Sequence, residues 1–565
     1  MNIEIEVNGQ KIKAKKGDMI LDALRSNGIH VPTLCNMEGF KPSGACRICV
    51  VEVEGRQDLI PACSFPVEEW MKISTHSGRV IKARRTILEL LLSCHAGGCL
   101  YCDRNQTCEL QGLAVELNVG DHQYTGFSAP RKKDHTSQSI LRDPSKCVIC
   151  GRCVRVCEEV EKVAALDFLR RGSRTEVGTV LDKGLNYTSC VNCGQCVLVC
   201  PTGALKERAH VDQVVKILQD PTRYAVALVD PAVLISIGEY FGHKTGYEFT
   251  SILATSLRRM GFKKAYSTAW GNEYEMGLAV SEILDRRVGS QAGPALVSTC
   301  PSFVKYVEQN RPDLLPNLLQ VRPGRQILTH LIRTMLAAQT GRSVSEISVI
   351  HLSACTAVKS EIQSPQKIQQ PTWYPDFALT TRELYRLIRL YGIQIDSIHT
   401  EARADIFGVP VRSGYLPAVA GGYLEGCLRI LAARNPGLAV PSDRIGKLRG
   451  LKDIKEFTFE LNGEPCTLAS ISGLSQFEDW LKEVRQKKRK VEVAEVMACP
   501  NGCINGGGQP VTGSDRNLRA RMKGLIEMDD LYSGVEVRQS LDIPFDYQLD
   551  INELKADFRE RYIIR

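Results

Sequence analysis

The run Cys190-Val-Asn-Cys193-Gly-Gln-Cys196-Val-Leu-Val-Cys200-Pro201 carries four cysteines at the spacing C-x2-C-x2-C-x3-C-P. The same spacing occurs upstream at Cys147, Cys150, Cys153 and Cys157. Thiolates are the ligands that iron–sulfur clusters prefer, and this spacing is typical of [4Fe–4S] sites. The duplicated run therefore predicts two [4Fe–4S] clusters, with zinc as the less favoured alternative.

The duplication resembles the two-cluster ferredoxins of bacteria, in which the fourth cysteine of one run ligates the other cluster. The resemblance implies crossed ligation, and we expect this domain to span residues 141–209. One cluster would be held by Cys147, Cys150, Cys153 and Cys200. The other would be held by Cys190, Cys193, Cys196 and Cys157.

The length and composition of the chain limit its domain count and its class of protein. A chain of 565 residues predicts about three to five domains, and 43% hydrophobic with 24% charged residues excludes disordered and fibrous classes. We find no apolar run of about 18 residues, and the first six residues alternate like a strand rather than a secretion signal. The 22 cysteines therefore indicate metal ligands, and we expect a cytoplasmic protein without membrane insertion.

A first group of cysteines follows an N-terminal hairpin signal. Asn8-Gly9 lies between alternating apolar residues, and a short capped helix is expected over residues 18–24. These features resemble the β-grasp fold of plant-type ferredoxins, expected here over residues 1–80. The resemblance implies one [2Fe–2S] cluster, with zinc again the alternative. Its ligands would be Cys35, Cys46, Cys49 and Cys63.

A second group combines one imidazole with three thiolates, His95, Cys99, Cys102 and Cys108. In isolation this set suits zinc equally well. Its spacing after a ferredoxin domain resembles the one-histidine, three-cysteine [4Fe–4S] motif of complex I large subunits and iron-only hydrogenases. We expect such a module over residues 81–140. Cys94 fits the motif less well, and its role is left open.

The chain changes character after residue 210. Short β-branched runs, such as residues 224–230, 295–299 and 347–353, are separated by helical patterns such as residues 324–336. This alternation predicts an α/β domain with a largely parallel sheet over residues 210–565, with sites beyond the carboxyl ends of the strands. Cys300 and Cys355 each follow a strand. The segment Glu495–Pro510 carries two more cysteines and a glycine run that would let backbone approach an inorganic group.

These C-terminal segments resemble the three signatures of [FeFe]-hydrogenases, and the modules occur in that family's order along nearly the whole chain. The first is Thr299–Phe303, the second Ser353–Glu361 and the third Glu495–Pro510. The fold class is thus multidomain α+β and α/β with a large [FeFe]-hydrogenase-like domain. The resemblance implies a further [4Fe–4S] cluster, with Cys503 bridging to a diiron CO/CN⁻ unit. The implied ligands are Cys300, Cys355, Cys499 and Cys503.

The signatures are degenerate where the family performs catalysis. Thr299 replaces a proton-shuttling cysteine, and a hydroxyl titrates far too high to substitute for a thiol. Ala279 replaces a glutamate of the proton path, while Glu282 is retained without its neighbours. Val358 replaces the lysine that hydrogen-bonds a cyanide, and Lys359 is expected to point elsewhere. We therefore assign no catalytic residue with confidence to these positions.

The expected diiron pocket has changed as well. Ser353-Ala354 replaces a methionine–proline pair, Phe303 a tryptophan, and Arg325 a glutamine, whereas Met497 keeps the family pattern. Asp230-Pro231-Ala232 replaces a loop of a small residue, proline and serine. A carboxylate would repel anionic cyanides, so we expect Asp230 and Arg325 to pair and fill the site. These changes predict loss of the diiron unit.

The resemblance implies an iron–sulfur electron-transfer subunit of an NAD(H)- and ferredoxin-linked, electron-bifurcating oxidoreductase. The alternative is an active or slow [FeFe]-hydrogenase, or a hydrogen sensor. The sequence has no strand–GxGxxG–helix unit or Walker loop, so no nucleotide or flavin site is expected. Expected partners are a flavin- and NAD-binding subunit, a small [2Fe–2S] subunit, ferredoxin, and a catalytic subunit such as a formate dehydrogenase or nickel–iron hydrogenase.

The net charge of +8 raises the question of nucleic acid. Cluster-bound thiolates would offset much of this charge. The basic run Arg485–Lys490 has no interleaved aromatic residues for base stacking, so it is interpreted as a solvated helix end. We predict no nucleic-acid partner. Cys427 and Cys466 have no cluster spacing and are interpreted as core or surface thiols.

Overall fold

The computed structural model describes residues 2–120, 124, 126, 132–246, 249–289, 293–398, 413–435, 438, 446–511 and 515–531. The described part of the chain ends with a helix over Asp515–Leu531. Within these ranges no helix combines the length and apolar character needed to cross a membrane.

The first module is a five-stranded sheet in the order β2-β1-β5-β3-β4. Its opening hairpin turns at Asn8 and Gly9, whose φ angles of 50° and 81° match the predicted type I′ turn. The helix α1 begins at Ile20, after an extended Met19 that makes no side-chain cap, so the predicted capping was wrong. The elements are β1 Asn2–Val7, β2 Gln10–Lys15, α1 Ile20–Ser26, β3 Val50–Val53, β4 Ile60–Pro61 and β5 Lys72–Ser74.

Two helices, α2 (Gly78–Ser93) and α3 (Glu109–Glu116), flank the one-histidine, three-cysteine loop. Ser77 caps α2 by accepting a hydrogen bond from the Val80 amide. Leucines of both helices, with Leu34 and Ile48 of the first cysteine loop, form one buried cluster. This packing joins the first two cysteine groups into a continuous body.

The duplicated cysteine runs form a small pseudo-symmetric unit closed by antiparallel pairing of its two ends, β6 with β9. Each run leads into a short helix, and a second hairpin, β7 with β8, is inserted between the runs. The elements are β6 Ile140–Arg142, α4 Arg152–Arg155, β7 Asp167–Leu169, β8 Glu176–Gly178, α5 Gln195–Val199 and β9 Leu205–Glu207.

The C-terminal half contains two four-stranded sheets. The first, β11-β10-β13-β14, is entirely parallel, as the apolar runs predicted. The second, β12-β17-β16-β15, is parallel except for the edge strand β15. The strands are β10 Tyr224–Val229, β11 Lys264–Ser267, β12 Ala295–Leu296, β13 Ile347–Ser353, β14 Phe377–Thr380, β15 Ile454–Leu461, β16 Glu464–Ser472 and β17 Val493–Met497.

Helices surround these sheets and bury their faces. They are α6 Val211–Gln219, α7 Pro231–Ser236, α8 Thr250–Met260, α9 Ala269–Val288, α10 Pro301–Asn310, α11 Gly324–Thr340, α12 Ala357–Glu361, α13 Pro365–Gln369, α14 Thr381–Leu390, α15 Gly422–Arg434, α16 Leu474–Arg485 and α17 Asp515–Leu531. The predicted helix over residues 324–336 is confirmed and extends to Thr340.

The C-terminal half is joined to the two-cluster unit by a shared core and a buried ion pair. One hydrophobic cluster runs from Val154 and Val197 to Phe303 and Trp480. Arg382 of α14 pairs with Glu207 of β9 at 3.0 Å, and both side chains are buried. The two units therefore pack as parts of one core.

Candidate iron–sulfur and hydrogenase-like sites

The first cysteine loop brings its four thiols together in the interior. Cys35, Cys46, Cys49 and Cys63 are all buried. Hydrogen bonds from Cys46 and Cys63 hold the pKa of Cys35 far below its usual range, and a hydrogen bond from Cys63 lowers the pKa of Cys49 to about 7. Four thiols in mutual contact form a donor set that matches the predicted [2Fe–2S] ligands.

The one-histidine, three-cysteine loop lines a small cavity. Cys99 is exposed, so this group lies at the molecular surface. Burial lowers the pKa of His95, aided by the nearby Lys146 charge, and this favours the neutral imidazole that a metal needs. Burial also raises the pKa of Cys108. The four predicted ligands of this group, His95, Cys99, Cys102 and Cys108, all line the cavity.

The duplicated runs line two further small cavities. In each, three cysteines of one run meet the last cysteine of the other. Burial raises the pKa of Cys150 to about 12 and that of Cys157 to about 11. Cys147, Cys150, Cys153 and Cys200 line the larger cavity. Cys157, Cys190, Cys193 and Cys196 line the smaller one.

These donor sets consist of thiols, with one imidazole, and such ligands are the ones that iron–sulfur clusters take. Each of the two duplicated runs contributes cysteines to both cavities of its unit. The residues present therefore fit iron–sulfur clusters.

The four cysteines of the C-terminal half meet where strands of both sheets end. Cys300 precedes α10, Cys355 follows β13, and Cys499 and Cys503 follow β17. Their charges act on one another, which places them in one neighbourhood. Burial raises the pKa of all four thiols, that of Cys355 to about 12. Such thiols become thiolates when a metal binds them.

The glycine run after Cys503 packs against backbone. A Cβ on Gly506 would lie 2.4 Å from the Ala354 carbonyl oxygen, and one on Gly507 would lie 2.2 Å from that of Cys193. We expected these glycines to admit an inorganic group, but the structure gives them a backbone neighbour. Their small size brings the Cys193 loop directly against the hydrogenase-like site.

The degenerate proton-path positions have structural partners. The Thr299 hydroxyl donates to Glu275 at 3.4 Å, and the Gly324 amide donates to the same carboxylate at 2.7 Å. Ala279 is buried in the core. The retained Glu282 accepts hydrogen bonds from Arg286 at 2.6 and 2.9 Å, so it is held in a structural ion pair. Glu275 was missed in the sequence, where no motif distinguishes it from other acidic residues of α9.

The position that corresponds to the family's cyanide-binding lysine is apolar. Val358 is buried beside Ile362 and Ala378. Lys359 points away, as predicted, and its ammonium lies 2.8 Å from Glu383 with neither side chain exposed. The site therefore has no lysine donor at this point.

Asp230 and Arg325 do not pair, so the predicted ion pair was wrong. Arg325 binds the carboxylate of Glu361 through two hydrogen bonds of 2.7 Å and donates to the Thr299 carbonyl at 3.2 Å. Arg325 pairs with Glu361 because Glu361 ends α12, and this end of α12 lies beside the first turn of α11, which carries Arg325. A bidentate pair of this kind is favoured by the planar guanidinium.

Asp230 instead accepts hydrogen bonds from His351 at 2.7 Å, Ser353 at 2.6 Å and Thr268 at 3.1 Å. Burial opposes its ionisation, but His351 and Ser353 hold the pKa of the carboxyl below its ordinary value. The two acidic partners, Glu361 and Asp230, thus anchor separate networks in the same region. The sequence offered no signal for His351, which lies inside an apolar strand.

Glu275 should make stability depend on pH. Burial raises its pKa to about 7. The folded protein then keeps a proton that the unfolded chain releases above about pH 4.5, so this stabilisation is complete below that pH. It should be lost as the pH rises through about 7, with a size of order 3 kcal/mol. Urea midpoints from pH 5.5 to 8 should fall less steeply in Glu275→Gln than in wild type, and equal slopes would contradict this assignment.

Comparison with known families agrees with this architecture. The C-terminal domain of the iron-only hydrogenase large subunit matches residues 223–507. The chain belongs to the iron-only hydrogenase family. A 2Fe–2S cluster binding domain matches residues 1–78, the iron–sulfur binding region of NADH-ubiquinone oxidoreductase-G matches 84–123, and the ferredoxin-like domain of NADH-quinone oxidoreductase subunit 3 matches 137–206. The predicted family is confirmed, as is its combination with 2Fe–2S and ferredoxin-like domains.

Relatives of this hydrogenase-family chain extend over its full length. It is 33% identical to the NADP-reducing hydrogenase subunit HndD of Solidesulfovibrio fructosivorans, covering 99% of this chain and 97% of that protein. It is 30% identical to iron hydrogenase 1 of Clostridium pasteurianum, covering 90% and 88%. An [FeFe]-hydrogenase structure from Chlamydomonas reinhardtii superposes with a TM-score of 0.50 at 24% identity, covering 56% of this chain and 88% of that one. The last comparison concerns the fold alone.

Proposed function

We propose that this chain is an iron–sulfur electron-transfer subunit of a multi-subunit, NAD(H)- and ferredoxin-linked oxidoreductase of the electron-bifurcating kind, and that it has lost the diiron unit of its family. The observation that carries this proposal is the Arg325–Glu361 pair beside four retained cysteines. The chain keeps the groups that would hold iron–sulfur clusters. It has changed the groups that would line a diiron unit.

The chain's residues would hold five clusters in four modules, 1–80, 81–140, 141–209 and 210–565. The clusters, when bound, supply one-electron transfer. The first three modules would hold one [2Fe–2S] and three [4Fe–4S] clusters through the cysteines and histidine that line their sites. A fourth [4Fe–4S] cluster would be held by Cys300, Cys355, Cys499 and Cys503.

Four residues argue against a working diiron unit. Val358 offers no hydrogen-bond donor to a cyanide. Arg325 is tied to Glu361 and Thr299, and the Asp230 carboxylate, whose charge acts on Cys503, would repel anionic ligands. The Thr299 hydroxyl cannot replace a thiol that titrates near neutrality.

Partners are inferred from what relatives are and from sites that this sequence lacks. HndD is a subunit of an NADP-reducing hydrogenase. Over 184 residues this chain is 36% identical to the alpha subunit of an NADPH–Fe(3+) oxidoreductase of Geobacter sulfurreducens. The match covers 33% of this chain and 22% of that protein. We propose a flavin- and NAD-binding subunit, a small [2Fe–2S] subunit and ferredoxin as partners, with catalysis on a separate subunit such as a formate dehydrogenase or nickel–iron hydrogenase.

The test is to co-express the chain with the diiron maturation machinery and record its infrared spectrum in the region of the CO and CN⁻ stretching bands. We expect no such bands, no hydrogen evolution from reduced methyl viologen, and about 18 iron atoms per chain from one [2Fe–2S] and four [4Fe–4S] clusters. Iron hydrogenase 1, treated identically, is the positive control. About 14 iron atoms would show that one of the four [4Fe–4S] clusters is absent.

The second candidate is an active or slow [FeFe]-hydrogenase, or a hydrogen sensor. It is favoured by the 30% identity to iron hydrogenase 1 over most of both chains. Clear CO and CN⁻ bands together with hydrogen evolution would establish the enzyme. Bands without appreciable turnover would favour the sensor.

A further inference from the structure

Lys146 lies at the junction between two of the proposed clusters. Its ammonium Nζ is 3.2 Å from the Sγ atom of Cys102, a proposed ligand of the one-histidine group. The next residue along the chain, Cys147, is a proposed ligand of the neighbouring group. The lysine side chain lines the cavity of the one-histidine group, together with His95 and Cys99. One cation thus faces the donors of the surface-exposed group directly.

Several contacts hold this lysine in place. It ends a short 3-10 turn that Asp143 caps by accepting a hydrogen bond from the Ser145 amide. The Lys146 carbonyl accepts a hydrogen bond of 2.8 Å from the Thr202 hydroxyl. A Cβ on Gly203 would lie 2.9 Å from Cys102 Sγ and 3.4 Å from Lys146 Cδ, so the absence of a side chain there leaves room for both groups.

The neighbouring charges are engaged elsewhere. Arg104 is buried and donates two hydrogen bonds of 3.0 Å to the carbonyls of Val197 and Cys200. Asp103 pairs with Lys206. The Arg104 side chain lines the same cavity as Lys146. Lys146 places its ammonium within hydrogen-bond distance of a sulfur donor of this group.

We propose that Lys146 is a positioning residue whose fixed positive charge raises the reduction potential of the cluster held by His95, Cys99, Cys102 and Cys108. This inference rests on the cluster ligation in the proposed function. A reduced cluster carries one more negative charge than the oxidised cluster, so a nearby cation stabilises the reduced form. A hydrogen bond from the ammonium to a ligand sulfur acts in the same direction. The lysine thus favours the electron on this cluster.

The experiment is an anaerobic redox titration of the full chain, followed by electron paramagnetic resonance. The relevant signal is the one that Cys99→Ala removes. In Lys146→Met the ratio of reduced to oxidised cluster at a fixed potential should fall about tenfold, equivalent to a midpoint about 59 mV lower for a one-electron couple. Lys146→Arg, which keeps the charge, should stay within twofold of wild type. Lys482→Met removes a distant exposed lysine charge and should leave the midpoint unchanged.

Three outcomes would overturn the proposal. The first is an intact signal in Lys146→Met whose ratio of reduced to oxidised cluster, at a fixed potential, differs less than twofold from that of wild type. The second is an equal shift in Lys146→Arg, and the third is loss of the signal in both variants, which would make Lys146 an assembly residue. A wild-type chain without any signal that Cys99→Ala removes would refute the ligation itself. Infrared bands from a diiron unit would refute loss of that unit and leave the role of Lys146 intact.

Discussion

Replacing Arg325 by glutamine should destabilise the region around α11 and α12 by about 3–5 kcal/mol, because it leaves a buried carboxylate without its partner. The Arg325 and Glu361 side chains are 12% and 8% exposed, so solvent screens their interaction only weakly. Glu361 also accepts a hydrogen bond of 3.0 Å from the Gln326 amide, a neutral donor that cannot replace the guanidinium charge.

Amide hydrogen exchange provides the measurement, since it reports local opening in a chain whose domains need not unfold together. Protection in α11 should fall by roughly two to four orders of magnitude in Arg325→Gln. Arg325→Gln combined with Glu361→Gln should recover most of this loss, because both charges are then removed. Arg485→Gln breaks an exposed pair with Asp313 and should cost at most about 1 kcal/mol. A double variant as unstable as the single one would contradict the pairing.

Replacing Lys359 by methionine should have an effect of similar size, about 3–5 kcal/mol. Lys359 and Glu383 are fully buried, and the ammonium also donates to the Ala378 carbonyl at 2.7 Å. Glu383 keeps hydrogen bonds from the His210 and Thr380 amides, both 2.8 Å. These neutral donors do not replace the lysine charge, so an uncompensated carboxylate would remain in the interior.

The same exchange measurement applies to α14, where Glu383 forms part of a capping box with Thr380. Lys359→Met should lower protection there strongly, and the addition of Glu383→Gln should restore much of it. Lys482→Met removes the same side chain from an exposed pair with Asp479 and serves as the matched control. If Lys359→Met behaved like Lys482→Met, the ion pair would contribute little to the fold.

Val358 and Lys359 are neighbours on α12, but their side chains have different surroundings. Val358 packs beside Cys355, whereas Lys359 crosses from α12 to Glu383 of α14. Successive residues on a helix point about 100° apart, so a lysine moved by one position does not reach the same place. The partner of Lys359 depends on where α14 lies relative to α12, and the local sequence does not give that position.

Local patterns determined the metal groups and the secondary structure. Cysteine spacing is local chemistry, and the turn at Asn8-Gly9 follows from the positive φ angles that these residues tolerate. Fully apolar runs such as Tyr224–Val229 predicted buried parallel strands because both faces of such a strand are covered. The expected capping of the first helix failed, since its start is set by packing of Ile20 and Leu21 rather than by a side-chain cap.

Local sequence patterns predicted the candidate thiol ligands, the parallel strands and the altered signature positions. The pairing of Arg325 with Glu361, the pairing of Asp230 with His351 and the contact of Lys146 with Cys102 depend on how separate elements pack. These partners are 36, 121 and 44 residues apart along the chain. A buried charge takes whichever counter-charge the packing brings within hydrogen-bond distance, and sequence spacing does not encode that distance across separate elements.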